Sequence, residues 1–216
     1  MEVLIVSIVG IVVFLLYFNT DFYSSDKGKS NNSSYIIRSN TEIVSLINRL
    51  DQLGYYKYVE RTRKREIKKD AMSAGCLFGW EQSGREFMSD AESLAEGGVG
   101  EFIKAIDPFL RTQNVQITKV NDDLVDTDYS VEINGESYKI YSGDELHQNI
   151  WELSTIRAFG IVNKLLEAAS SDERVYILYG GNELRAVFLT SKMFKVINGS
   201  KFIPDKDKPI MTPEYA

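Results

Sequence analysis

The chain has 216 residues, 25 Lys and Arg against 31 Asp and Glu, a net charge of −6, one Cys and one His. A single cysteine excludes an internal disulfide, and one Cys with one His excludes the zinc sets built from several such ligands. The acidic balance argues against general nucleic-acid binding, which needs a basic footprint to neutralise phosphates, so no nucleic-acid partner is expected.

The run VLIVSIVGIVVFLLYF, Val3 to Phe18, carries no charge. As a helix it covers about 24–27 Å, the short end of what crosses a hydrocarbon core about 30 Å thick, and it is nonpolar on every face. Residues 1–19 are therefore expected to form a single-pass transmembrane anchor, which makes the membrane one partner. The alternative is export after signal cleavage, but the chain opens Met1-Glu2 with no basic region, and the serines after Phe18 make a poor cleavage site. Lys27 and Lys29 follow the run and no Lys or Arg precedes it, a bias that puts the domain on the cytoplasmic side. Residues 20–39, rich in Ser, Asn and Asp, read as a flexible tether, 40–203 as one domain, and the proline-bearing 204–216 as a loose tail.

Ser39 and Glu42 have capping-box spacing, Gly54 is a stop, and Ile43, Leu46, Ile47, Leu50 and Leu53 between them share one helical face. A second helix is expected over Val59 to Ser73. It contains ERTRKREIKKD, six basic and three acidic side chains that suit either a solvated face or anionic lipid. CLFGW, Cys76 to Trp80, reads as a short strand or buried turn. SDAESLAEGGVGEFIKAIDPFL repeats the capping spacing at Ser89 and Glu92, breaks at Gly97-Gly98, and resumes with Phe102, Ile103, Ile106, Phe109 and Leu110. Pro108 is expected to kink or restart that second piece.

VQITKV, Val115 to Val120, is expected as the first strand, followed by an acidic turn. YSVEI and ESYKIY flank Asn134-Gly135, the strongest short-range hairpin signal. Asp144 to Ala169 reads as one long helix with Trp151, Thr155, Ala158, Val162, Leu165 and Ala169 on its apolar face. RVYILYG and LRAVFLT, joined by GNE, form a second hairpin, and SKMFKVING a short helix closed by Gly199. The order predicts an α+β fold: a mainly antiparallel sheet of about five strands with the long helix packed on it, preceded by a helical segment and the transmembrane helix.

Signatures of chemistry are sparse. His147 is the chain's one histidine, so any histidine-based nucleophile scheme depends on it, a Cys76–His147 pair among them, and no GxSxG elbow is present. EGGVGEF could present backbone N–H groups to an anion, but no strand leads into it and no GK[ST] follows, which leaves helix termination and a hinge. NDDLVDTD gathers carboxylates without the EF-hand glycine. Glu136 and Lys139 lie three apart, the wrong spacing for the acidic strand of a nuclease. No metal or cofactor is expected.

Between Asn121 and Glu173 stand twelve acidic and three basic side chains, net −9, a surface suited to a basic partner. The sequence thus points to a membrane-anchored, non-catalytic protein-binding domain, immunity-type or adaptor-like, with Asp122, Asp123, Asp126 and Asp128 as its candidate partner surface. The alternative is a membrane-associated enzyme with a site built from carboxylates and tyrosines.

Overall fold

The computed structural model describes residues 32–79, 83–181, 183–213 and 215, with side chains from Thr41 onward. The anchor expected over 1–19 lies outside the described residues, as does Trp80. No helix among the described residues is long and apolar enough to cross a membrane. The packing below belongs to the compact unit Ile37–Ala216.

In chain order the elements are α1 (Asn32–Gln52), α2 (Arg61–Ala74), β1 (Glu86–Asp90), α3 (Ala91–Ala95), α4 (Val99–Thr112), β2 (Val120–Val125), β3 (Asp128–Ile133), β4 (Glu136–Tyr141), α5 (Ile150–Ala168), β5 (Glu173–Leu178), β6 (Glu183–Thr190), α6 (Ser191–Asn198) and β7 (Ile210–Met211). The fold is α+β, with six helices and two antiparallel sheets among the described residues. This corrects the expectation of one sheet of about five strands. β1-β6-β5-β7 form one sheet and β2-β3-β4 another.

The four-stranded sheet is covered on both faces. Val175, Leu184, Ala186 and Phe188 join a core with α4, α5 and the inner face of the three-stranded sheet. Tyr176, Leu178, Val187 and Leu189 point the other way, into a core with Ile43, Ile47 and Leu50 of α1, Ile67 and Ala71 of α2, and Met193 and Ile197 of α6. Alternate side chains of a strand leave opposite faces, so double coverage explains why β5 and β6 read as nearly continuous apolar runs.

Asn134 and Gly135 take φ of 52° and 88°, closing the β3–β4 hairpin as their residue types require. Val115 to Lys119 is not a strand. Val115 is buried, but the backbone there is held by the Asn134 side chain, whose Oδ1 accepts from the Thr118 and Lys119 N–H groups and whose Nδ2 donates to the Gln116 carbonyl. α1 begins at Asn32, so Ser39 lies inside the helix instead of capping it. α4 runs on through Pro108, whose missing donor does not end it.

The long helix starts at Ile150, capped by Asn149, later than the expected Asp144. Ala158, Phe159, Gly160, Ile161 and Val162 are all buried, so α5 is enclosed on more than one side, whereas Trp151, expected on the apolar face, is 38% exposed. Residues after 203, expected to trail loosely, instead supply β7 against β5, the buried Thr212, and Tyr215, whose hydroxyl donates to the Lys139 carbonyl.

The segment before α5 is a separate 3-10 turn, Gly143–Glu145, locked by a capping box between Ser142 and Glu145. Arg157 of α5 donates both Nη groups to the Glu145 carboxylate at 2.7 and 2.9 Å, and Lys139 of β4 reaches it at 3.3 Å. These bonds, Arg157 first, hold the Glu145 carboxyl well below the usual carboxylate range. A group whose folded value is depressed stabilises the fold above its unfolded value, about 4.3 for glutamate, and loses that contribution as pH falls toward the folded value. Glu145→Gln is therefore expected to cost roughly 2 kcal/mol at pH 7, the scale of hydrogen bonds to a charged group. Urea unfolding as a function of pH checks this: the gap from wild type is expected to narrow steadily below pH ~4, and a gap independent of pH contradicts it.

Candidate functional site

The glycine cluster after α3 explains the local architecture. Gly97 has φ of 96°, and a Cβ on Gly98 would collide with the Ser93 carbonyl, so both are confined to glycine and end the short α3. At the N-terminus of α4 the N–H groups that lack a partner within the helix do meet an anion, and it is the protein's own. The Gly100 N–H donates to both oxygens of Asp122 at 2.9 and 3.0 Å, while the Val99 N–H donates to the Tyr129 hydroxyl, which in turn donates to Asp122 at 2.5 Å. A carboxylate placed on helix N-terminal N–H groups satisfies donors that have no partner within the helix and complements the dipole. A Cβ on Gly100 would overlap the Asp122 carboxylate, so the approach requires glycine.

The four aspartates proposed as a partner surface therefore divide. Asp122 is half-buried and caps α4; Asp128 accepts from the Gly143 N–H at 2.8 Å and holds the turn before α5. Asp123 on β2 and Asp126 at the β2–β3 turn, where φ is 52°, are exposed. The acidic stretch is thus a strand, not a turn, and its pairing with β3 outweighs the poor strand propensity of Asp and Asn. At the hairpin tip Val125 is 58% exposed beside the exposed Leu124.

Next to this hairpin lies a cleft of about 480 Å³ between β1, α3 and α4, with Met88, Ser89, Leu94 and Phe102 among its lining and Asp90, Glu101 and Glu183 as its charged groups. None of its lining side chains is basic. A smaller hollow shares Asp90 and adds Glu92 and Glu96. Asp90 caps α3, its Oδ1 accepting from the Ser93 N–H at 2.6 Å, so the cap is one residue later than the expected Ser89. Lys104 pairs with Glu101 at 2.6 Å on the surface. Sequence reading missed Met88 because EFMSD has no clean alternation and its last two residues resemble a helix start, and it missed Glu101 and Glu183 because only the fold brings them to one cleft.

Burial pushes the Tyr55, Tyr56, Tyr129, Tyr138 and Tyr179 hydroxyls up, the last to about 12, so these phenols remain protonated near neutral pH. His147 is exposed with Nδ1 on the Asp144 carbonyl at 2.8 Å, and the Cys76 thiol donates to the Phe78 carbonyl at 3.0 Å. Among the described residues no three His, Cys, Asp or Glu side chains converge as metal ligands would.

Charged side chains also meet inside the fold. Arg85 is fully buried and paired with the buried Glu173 at 2.8 Å, with Lys57 and Tyr58 completing the carboxylate's surroundings. Every Arg85 nitrogen donates to an oxygen, and both side chains of the pair are buried, so this cluster is a structural clamp. Comparisons with protein-family models, curated proteins and solved structures found no match to this chain, which leaves its own geometry to carry the functional reading.

Proposed function

We propose that this is a membrane-anchored, non-catalytic protein-binding domain, tethered through the apolar run Val3 to Phe18 on the cytoplasmic side, whose acidic face engages a basic partner in an immunity-type or adaptor-like role. The observation that carries this reading is the cleft between β1 and α4, apolar at its floor, bearing Asp90, Glu101 and Glu183, and without a basic side chain in its lining. A contact surface of this kind combines exposed apolar groups with a single sign of charge that steers an oppositely charged partner. Met88, 51% exposed, and Val125 supply the apolar part, and Asp123 and Asp126 extend the charge along the neighbouring hairpin.

Full-length protein extracted in mild detergent is expected to retain a stoichiometric protein partner that a control of residues 1–39 does not. Asp123→Asn combined with Asp126→Asn is expected to weaken retention severalfold and to flatten its loss with rising salt. Asp122 and Asp128 are left intact in this test because their carboxylates hold helix and turn backbone. Retention indifferent to both salt and the two substitutions contradicts the reading.

A further inference from the structure

Resting on the acidic-face reading above, we infer that the outer edge of β1 is a strand-addition site for an extended segment of the partner bearing lysine or arginine at alternate positions. Among the described residues β1 is an edge strand whose paired neighbour is β6. The Phe188 N–H donates to the Arg85 carbonyl, and the register continues from this pair through Phe87 with Ala186 and Ser89 with Leu184. In an antiparallel ladder the directly bonded pairs alternate with pairs whose N–H and C=O groups point away. Met88, opposite Arg185, falls in the second set, so its N–H and C=O point outward from the sheet. The cleft is lined by Met88, Ser89 and Asp90 in succession, which sets it along this edge instead of on one face of the strand.

Two further observations bear on the occupant. Ser89 is 9% exposed, is one of the residues lining the cleft, and its hydroxyl has no hydrogen-bond partner among the described residues. A buried hydroxyl left without a partner is unfavourable, and an incoming ammonium, guanidinium or amide donor would satisfy it. The charged groups of the lining, Asp90, Glu101 and Glu183, are all acidic, so the side chains of an added strand are selected for positive charge. Lys104, paired with Glu101, is the cation such a side chain displaces, and its exposure makes that exchange easy. Main-chain bonds then supply affinity and the cleft supplies specificity, the division of labour seen when peptides add to a sheet edge.

The test uses the full-length chain in detergent and a synthetic peptide of alternating lysine and valine, which as a strand sets its cations on one face. It is compared with the same peptide N-methylated on alternate amides, in each of the two registers, and with a peptide of equal composition arranged in two blocks. One methylated register is expected to bind like the parent, and the other, whose amides face β1, at least tenfold more weakly, with the block peptide weakened comparably. Met88→Pro, which removes an N–H not bonded to β6, is expected to erase the difference between registers. Glu101→Gln with Glu183→Gln is expected to weaken the parent severalfold. If Met88→Pro fails to fold, the register comparison on the unaltered chain decides alone. Equal binding of every peptide, lost in the Glu variants, overturns strand addition while leaving the acidic face in place. Absence of binding, or binding indifferent to Glu101 and Glu183, overturns both.

Discussion

Replacing Glu173 with alanine is expected to lower the free energy of unfolding by about 3–5 kcal/mol, the cost of leaving a buried charge without its counterpart. The charge left behind is Arg85, fully buried. Its guanidinium donates from Nε to the Tyr55 carbonyl at 2.5 Å, from Nη1 to Glu173 and the Phe188 carbonyl, both at 2.8 Å, and from Nη2 to Glu173 and the Gly54 carbonyl, both at 3.1 Å. Five donors in a fixed fork thus join the end of α1 to β5 and β6, a geometry that Lys cannot reproduce. The network runs on, for Tyr58 donates to Glu173, Gln113 to Tyr58, and Ser171 to Gln113.

Arg85→Met is expected to cost a similar amount, because Glu173 then keeps, among the described residues, Lys57 and Tyr58 as side-chain partners. The double variant is expected to lose clearly less than the two singles together, since neither uncompensated charge remains. Urea denaturation of the four proteins measures the coupling. Additive losses would show that the two side chains do not act as a unit.

Gly100→Ala is expected to destabilise the chain by about 1–3 kcal/mol, although alanine is ordinarily the better helix residue by about 1 kcal/mol. The added methyl would occupy the place of the Asp122 carboxylate. Displacing that carboxylate removes the acceptor of both the Gly100 N–H and the Tyr129 hydroxyl. Asp122→Ala alone is expected to cost about 2 kcal/mol, combining a lost helix cap with a buried hydroxyl that has lost its acceptor. The informative outcome is the pair: with alanine already at 122 the obstruction is gone, and Gly100→Ala is expected to become neutral or stabilising. If Gly100→Ala costs the same in both backgrounds, the close approach of Asp122 is not what requires glycine there.

Features set by neighbours along the chain were legible in the sequence. Asn134-Gly135 closes a hairpin because positive φ is a local demand, and Ile43, Ile47 and Leu50 declare the buried face of α1 by spacing alone. Features set by distant contacts were not. β2 is written in Asn and Asp, and only pairing with β3 and the capping of α4 make it a strand. β1 is short, and its Ser89-Asp90 end looks like a helix cap because Asp90 is one. Nothing in the local composition marks Arg85 and Glu173 as partners, since they are distant in sequence and burial of a charge is invisible until the fold encloses it. As for the candidate site, the acidity of the hairpin was legible, but the division of its aspartates between capping and exposure, and the adjoining cleft, depended on which elements met.

The measurement that bears most directly on the protein-binding reading is site-specific photo-crosslinking of the full-length chain in cells, with a benzophenone side chain placed at Met88 and, separately, at the exposed Lys192 of α6. The expected result is a defined protein adduct from position 88, mapping to a lysine- or arginine-bearing segment of the partner and weakened by Glu101→Gln, with none from position 192. An adduct from position 192 and none from position 88 would contradict the assignment of the β1 edge and its acidic cleft as the binding face.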